Sequence, residues 1–337
     1  MSGFADAFGR AIDYLRVSVT DRCNLRCVYC MPPEGVPPIA HDEVLRFEEI
    51  VRVVDAAAGL GIRQVRLTGG EPLVRRGIDA LVRMLRALPD IKEITLTTNG
   101  TLLAGLAEPL AAAGLTRVNV SLDTLDADAY RAITRGGSLA AALEGIAAAE
   151  RAGLVPVKVN MVVMRGINDG QVLAMARQSI AAGWHVRYIE MMPLGAAQHV
   201  CGDGEAVDAT SAGMVPNSDI RAAIEAELGP LEPAEVAGAG PAETWRVPGA
   251  RGSIGFISAV SHGFCANCNR LRLTANGRLV PCLFSDRELD LRAALRAGAT
   301  REALQALIRE AVALKGSGHR LAEHRVETGH QMSRIGG

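Results

Sequence analysis

Leu15-Arg16-Val17-Ser18-Val19-Thr20-Asp21-Arg22-Cys23-Asn24-Leu25-Arg26-Cys27-Val28-Tyr29-Cys30 runs a strand straight into a thiol-rich loop. In its first half Leu15, Val17 and Val19 alternate with Arg16, Ser18 and Thr20. That period of two places alternate side chains on opposite faces of a strand. In its second half three cysteines follow at C-x3-C-x2-C spacing, and Met31-Pro32-Pro33 stops any helix after them. Electron-carrier clusters and structural zinc sites close with four ligands. Three thiolates on one short loop, with no fourth cysteine in the next hundred residues, leave one iron of a cubane open for a ligand. The spacing alone also admits a zinc knuckle completed by a distant His or Cys, or structural thiols clustered by chance.

Outward from this stretch, strand and helix patterns alternate. Further strands are predicted at Gln64–Thr68, Ile94–Thr98, Arg117–Ser121, Pro156–Val163 and His185–Glu190, in addition to Leu15–Thr20. Helices are predicted between them at Phe47–Ala58, Ile78–Ala87, Leu102–Ala113, Leu139–Ala152 and Gln171–Ala182, with Gly114, Gly153 and Gly183 placed as C-terminal stops. Repeated βα units imply a parallel sheet. Strands covered by helices on both faces would read as continuous apolar runs. Here Val65 and Leu67 alternate with Gln64, Arg66 and Thr68, and Val157 and Val159 with Lys158 and Asn160. One face is therefore apolar and packs on helices, while the other is polar. The expectation is an α/β fold, a partial (β/α)6 TIM-like barrel with a wet lumen, whose functional residues gather at the C-terminal strand ends.

A second thiol group, Cys265-Ala266-Asn267-Cys268, is joined by Cys282. Asn276-Gly277 between two apolar strand-like runs is a hairpin signal that would return Cys282 toward the pair. Zinc completed by His262 or Cys201 fits the spacing, and so does a second cluster with an open iron. The chain divides into a barrel over 12–194, a Gly-, Ala- and Asp-rich link over 195–217 and a second-cluster region over 218–337. Cys201, in the link, reads as a spare thiol.

Bulk properties bound the function. The 337 residues are 49% hydrophobic with a formal net charge of −1, which gives ample core and no broad field for nucleic acid. No apolar run is long enough to span a bilayer, and Met1–Arg10 does not read as a signal peptide. Seven cysteines, six of them in two tight groups, predict metal ligands kept reduced in a cytoplasm, not a secreted disulfide framework.

The first triplet, the turn Thr68-Gly69-Gly70-Glu71-Pro72, Thr97-Thr98-Asn99-Gly100, Asn119-Val120-Ser121-Leu122-Asp123 and Phe264-Cys265-Ala266-Asn267-Cys268-Asn269-Arg270-Leu271-Arg272 occur in one order. With the terminal Gly336-Gly337, this order resembles the radical S-adenosylmethionine (SAM) superfamily. Within it the chain is similar to the MoaA family, GTP 3′,8-cyclases of molybdenum cofactor biosynthesis. The resemblance implies two [4Fe-4S] clusters, one held by Cys23, Cys27 and Cys30 and one by Cys265, Cys268 and Cys282. It implies SAM contacts from Tyr29, Gly70, Glu71, Ser121 and Met192. It also implies GTP contacts from Arg16, Arg66, Thr97, Lys158, Arg187, Arg270, Leu271 and Arg272, with Arg66, Gly336 and Gly337 taking catalytic parts.

The implied reaction begins with reductive cleavage of SAM to a 5′-deoxyadenosyl radical. That radical removes the ribose 3′ hydrogen of GTP, and C3′ adds to guanine C8 to give (8S)-3′,8-cyclo-7,8-dihydro-GTP. The residues support such a substrate. Arg16, Arg66 and Lys158 share the inward parity of three strands, as an anionic triphosphate requires, and Glu71 can accept from an ammonium group. Gln64 takes an inward place where some relatives carry a base, which thins the charge ring. The implied partners are a reductant protein such as flavodoxin or ferredoxin and, downstream, a cyclic pyranopterin monophosphate synthase. Nucleic acid and membrane are not among them, and a homodimer stays open. Two alternatives remain at this point: a radical SAM peptide-modifying enzyme with an auxiliary cluster, and a non-catalytic iron–sulfur carrier or zinc-stabilised scaffold.

Overall fold

The computed structural model describes residues 4–194, 197, 213–236, 238, 240–319 and 332–336. Strands β1 (Tyr14–Ser18), β2 (Gln64–Thr68), β3 (Glu93–Thr98), β4 (Arg117–Ser121), β5 (Lys158–Val163) and β6 (His185–Glu190) lie side by side in chain order, each parallel to the next. Helices α1 (Phe47–Leu60), α2 (Ile78–Arg86), α3 (Ala107–Ala112), α4 (Ala127–Thr134), α5 (Leu139–Arg151) and α6 (Val172–Ala181) provide the crossovers. This is the expected six-stranded partial barrel.

Alternation along the strands explains the layering. Leu15, Val17, Val65, Leu67, Ile94, Leu96, Val118, Val120, Val159, Met161, Val186 and Tyr188 are buried in one continuous core with Ile50, Val53, Leu81, Leu85, Ile146 and Met175 of the helices. Each such side chain contributes about 1.5–3 kcal/mol relative to exposure. Arg16, Arg66, Arg117, Asn119, Lys158 and Arg187 occupy the alternate positions and are also buried. A buried charge is tolerated only where other groups solvate it, so the inner face is built to meet something polar.

The C-terminal part is woven into the same sheet. After α7 (Asn217–Leu228), β7 (Glu232–Pro233) and β8 (Glu243–Arg246), β9 (Ser253–Ile257) pairs in parallel with β6. At the opposite edge β10 (Arg270–Leu273) pairs in parallel with β1, and it is followed by β11 (Arg278–Val280) and β12 (Leu289–Asp290). The parallel run is therefore β10-β1-β2-β3-β4-β5-β6-β9, with antiparallel strands beyond each end. Ile257 of β9 and Arg272 of β10 line the same cavity, so the sheet is curled. Helices α8 (Leu291–Arg296) and α9 (Arg301–Ala313) pack outside, and the short α10 (Met332–Ile335) returns to the barrel.

Two helices differ from expectation. The helix expected at Leu102–Ala113 begins only at Ala107, after a 3-10 turn at Leu103–Gly105. Pro109 explains this: it is tolerated in the first turn of α3 but would interrupt a helix already running from Leu102. Helix α4 was not expected. It buries Tyr130, Ile133 and Thr134, too few positions for a periodic signal. Among the described residues, no helix is long and apolar enough to cross a membrane.

Candidate active site

The first cysteine loop is anchored by the helix that periodicity did not show. Arg26 N donates to Thr134 O (3.1 Å) and Val28 N to Ile133 O (2.9 Å), so the loop hangs on the C-terminal turn of α4. Just past α4, Arg135 adopts φ 53° and donates through its guanidinium to Met31 O at 2.8 Å. Arg26 itself donates to Cys23 O at 2.7 Å. Backbone and arginine contacts thus shape the loop and leave the three thiols facing the cavity.

The glycine pair after β2 serves that loop. A Cβ on Gly69 would meet Thr20 O at 2.4 Å, and one on Gly70 would meet Arg22 O at 2.4 Å. Gly70 N donates to Thr20 O and Glu71 N to Arg22 O, each at 2.8 Å. The bare glycines therefore let the turn lie against the strand-to-cysteine segment, and Gly70 still borders the cavity. Glu71 is buried. It accepts from Thr98 Oγ1 (2.7 Å), Asn99 N (2.7 Å) and Leu73 N (3.0 Å). A carboxylate offers about four acceptor sites, so one remains for an ammonium. Burial pushes the Glu71 carboxyl up to about 7 despite these donors.

Tyr29 donates to Asp123 Oδ2 at 2.9 Å, and Asp123 Oδ1 accepts from Val162 N at 2.9 Å. Asp123 thus fixes the ring that stands between the last two cysteines. Its position just past β4, in a quoted stretch, was the signal that could have singled it out. Burial raises its carboxyl to about 6.

The hairpin that Asn276-Gly277 signals is present beside the second cysteine group. Cys265–Asn267 makes a 3-10 turn, β10 and β11 pair antiparallel around Gly277 (φ 79°), and Cys282 follows at once. Lys315, which the sequence reading passed over, donates to Cys268 Sγ at 3.4 Å. The two triplets differ in electrostatics. Burial pushes Cys30 up to about 12, with Cys23 and Asp123 adding to the effect, and Cys27 and Cys23 are raised too. Burial also acts to raise Cys268, but Arg270 and Lys315 outweigh it and bring the thiol down to about 7.

Both triplets line one cavity of roughly 1800 Å3, its open mouth included. Around the first triplet stand Tyr29, Gly70, Glu71, Ser121 and Met192; around the second, Arg270, Arg272 and Lys315; Arg16, Arg66, Thr97 and Arg187 also line the wall. Asn119 binds two of the arginines: with its amide oxygen toward them it accepts from Arg66 Nη1 (2.6 Å) and Arg187 Nη2 (2.8 Å). Burial, then neighbouring arginines, depresses Arg187 to about 9 and Arg272 to about 10, and Arg16 falls well below its usual value. Guanidiniums destabilised in this way favour an anion among them.

Among the described residues, three polar atoms on this wall, Thr97 Oγ1, Asn160 Oδ1 and Arg187 Nε, are buried with no hydrogen-bond partner, the mark of a surface built for a polar ligand. Among the described residues, no three His, Cys, Asp or Glu side chains converge as on a single metal ion. His262 is exposed.

Two expected contacts are placed differently. Lys158 shares the inner face of β5 with Asn160 and Val162 but lies two residues earlier, outside the cavity lining. Leu271 points into the hydrophobic core, so only its backbone can face a ligand. The C-terminal end does reach the site. Gly336 (φ 70°) lies against Thr68, and its carbonyl accepts from Arg272 Nη1 at 2.5 Å. Gly337 and Cys201 lie outside the described residues.

Known proteins agree with this arrangement. Residues 17–178 match the radical SAM superfamily, and residues 184–321 match the family described as Molybdenum Cofactor Synthesis C. The chain is 53% identical over 334 residues to the GTP 3′,8-cyclase of Pelotomaculum thermopropionicum, covering 98% of this chain and 99% of that one. It is 49% identical over 337 residues to the GTP 3′,8-cyclase of Moorella thermoacetica, with the same coverage. Among solved structures, Streptococcus suis SuiB bound to S-adenosylmethionine superimposes with a TM-score of 0.59 at 16% identity, over 88% of this chain and 68% of that one, a likeness of fold. With two open-sided thiol triplets and an arginine-rich wall on one chamber, and near-full-length identity at this level, the chain belongs to the GTP 3′,8-cyclase family of radical SAM enzymes.

Proposed function

We propose that this protein converts GTP to (8S)-3′,8-cyclo-7,8-dihydro-GTP, the first step of molybdenum cofactor biosynthesis. The observation that carries the reading is the shared chamber, with two cysteine triplets and a wall of buried arginines. The triplet thiols are the ligands for two [4Fe-4S] clusters, which with SAM supply, when bound, one-electron chemistry and a carbon radical able to remove the ribose 3′ hydrogen.

The chain's own residues position and shield. Tyr29, steadied by Asp123, offers a flat face for adenine, and Gly70, Glu71, Ser121 and Met192 complete the SAM side. Arg16, Arg66, Arg187, Arg270 and Arg272 face the triphosphate, and Thr97 offers a buried hydroxyl with no partner among the described residues. Asn119 and Thr95 hold Arg66 in place, Thr95 accepting from Arg66 Nε at 3.1 Å. Precise placement of the reacting carbon and hydrogen supplies much of such a rate enhancement. The electron comes from a small reductant protein such as flavodoxin or ferredoxin, and the product passes to a cyclic pyranopterin monophosphate synthase.

Lys158 acts from behind the chamber wall. Burial, followed by repulsion from Arg117, Arg187 and Arg66, brings its ammonium down to about 7, so at pH 8 it is mostly neutral. A polyanion nearby restores the charged form. GTP binding at pH 8 is therefore expected to take up a proton, and affinity should fall as pH rises above 7. Calorimetry in two buffers of different ionisation heat measures this. Lys158→Met should abolish the uptake and weaken GTP binding about tenfold, on the order of 1.4 kcal/mol, with SAM cleavage retained. No proton uptake by the wild type would remove Lys158 from the substrate site.

The function itself is tested by an anaerobic assay of iron-reconstituted protein with SAM, dithionite and GTP, read by mass. GTP-dependent 5′-deoxyadenosine together with a reduced, cyclised GTP product is the expected result. SAM cleavage indifferent to GTP would point to another substrate, and a full iron load without cleavage to a carrier.

A further inference from the structure

We propose that Lys315 is a positioning residue for the second triplet, tying its two cysteine segments together and placing a positive charge on a cluster sulfur. The inference rests on the reading of Cys265, Cys268 and Cys282 as cluster ligands. Lysine is almost never buried unless paired, yet Lys315 is 4% exposed. Its ammonium meets Cys268 Sγ at 3.4 Å, Arg270 O at 3.1 Å and Pro281 O at 2.9 Å. An ammonium has three hydrogens, and each has an acceptor. Those acceptors span both parts of the ligand set, since Arg270 lies two residues past Cys268 and Pro281 directly precedes Cys282.

The segment bearing Lys315 is itself held. Arg10 donates to Gly316 O (2.6 Å), Ser317 O (2.9 Å) and Cys265 O (2.8 Å), and Asp6 at 2.5 Å braces its guanidinium. Arg10 and Lys315 therefore grip the same loop from two sides, but of the two contact sets only that of Lys315 includes a sulfur.

Among the described residues, the first triplet shows no such hydrogen bond from a cationic side chain. There Arg26 donates to the carbonyls of Cys23 and Leu25, and Cys23 Sγ accepts from the backbone of Leu25 at 3.4 Å. The acidic groups Asp123 and Glu71 border that side of the cavity. Hydrogen bonds to cluster sulfurs and local charge set the reduction potential. A cation on Cys268 favours the reduced form, so Lys315 makes the second cluster easier to reduce than it would otherwise be.

The test is an EPR-monitored redox titration of the reconstituted full-length protein, with iron counted. The first cluster's signal is the one altered by adding SAM. Lys315→Met is expected to keep about eight irons and to lower the second-cluster midpoint by at least about 59 mV, a tenfold change for one electron. Lys315→Arg should hold the wild-type midpoint. Arg10→Gln should lower thermal stability and leave the midpoint unmoved. A fully loaded Lys315→Met protein with an unchanged midpoint would overturn the proposal. If Lys315→Met sheds the second cluster, Lys315→Arg decides: full iron with a wild-type midpoint supports the charge role, while a lowered midpoint or lost iron refutes it. Wild-type protein holding only about four irons would instead refute the two-cluster reading itself.

Discussion

Cys27→Ala is expected to stop SAM cleavage and to halve the iron content, from about eight to about four per chain. A cluster with an open iron has no spare protein ligand, so losing one of three thiolates loses the cluster. The substitution should spare the fold, because the loop is held by backbone bonds from Arg26 and Val28 to α4 and by the Arg135 guanidinium, not by the thiol. Burial raises the Cys27 thiol well above its usual value, with Asp123 and Cys30 adding to it. Such a thiol releases its proton to solvent only when a strongly cationic partner stabilises the thiolate, which the irons of a bound cluster would do. The rate of 5′-deoxyadenosine formation should fall more than about 1000-fold, on the order of 4 kcal/mol or more of barrier. The EPR signal of the second cluster should persist. Wild-type cleavage by this variant would remove Cys23, Cys27 and Cys30 from the SAM site.

Gly336→Val should detach the C-terminal helix from the chamber and reduce GTP conversion by about two orders of magnitude. A Cβ on Gly336 would lie 1.9 Å from Thr68 Oγ1 and 2.8 Å from Thr68 Cβ. Thr68 is 2% exposed at the end of β2 and cannot swing away. The backbone there is left-handed at φ 70°, which costs a β-branched residue about 1–3 kcal/mol before any clash. Against this stand the burial of Ile335 beside Leu194, Leu283 and Phe284, about 1.5–3 kcal/mol, and the bond from Arg272, about 1.5–3 kcal/mol. The 1.9 Å contact with a strand residue nonetheless forces one side to move, and the short C-terminal helix is the side free to do so. The tail should become cleavable by a protease that spares the wild type, while GTP-independent SAM cleavage stays within a fewfold. A variant with full turnover and a protected tail would show that the contact tolerates a side chain.

Much of the molecule was legible from residue order because its signals are local. Alternation in Leu15–Thr20, Gln64–Thr68 and Arg117–Ser121 is a property of single strands, and it announced both an apolar outer face and a polar lumen. The cysteine spacings and the Asn276-Gly277 turn are local too, and the turn closes the antiparallel β10–β11 pair that it predicts. Helix α4 was hidden because its buried side chains lie within eight residues and make no repeat. Asp123 and Lys315 stayed unnoticed because each gains its meaning from a partner far along the chain, Tyr29 in one case and Cys268 in the other.

Sequence by itself determined the strand faces, the order of βα units and the gathering of six cysteines into two groups of three, since all of these depend on neighbours in the chain. Tertiary structure alone decided that β9 and β10 extend opposite edges of one parallel run, and so that both triplets share a chamber. It alone showed that Gly69 and Gly70 yield space to Thr20–Arg22, and that Lys158 stands behind the wall it was expected to line. The reason is physical. Period and spacing say which way a side chain points, but its depth, and what meets it there, are set by strand register and by packing between segments hundreds of residues apart.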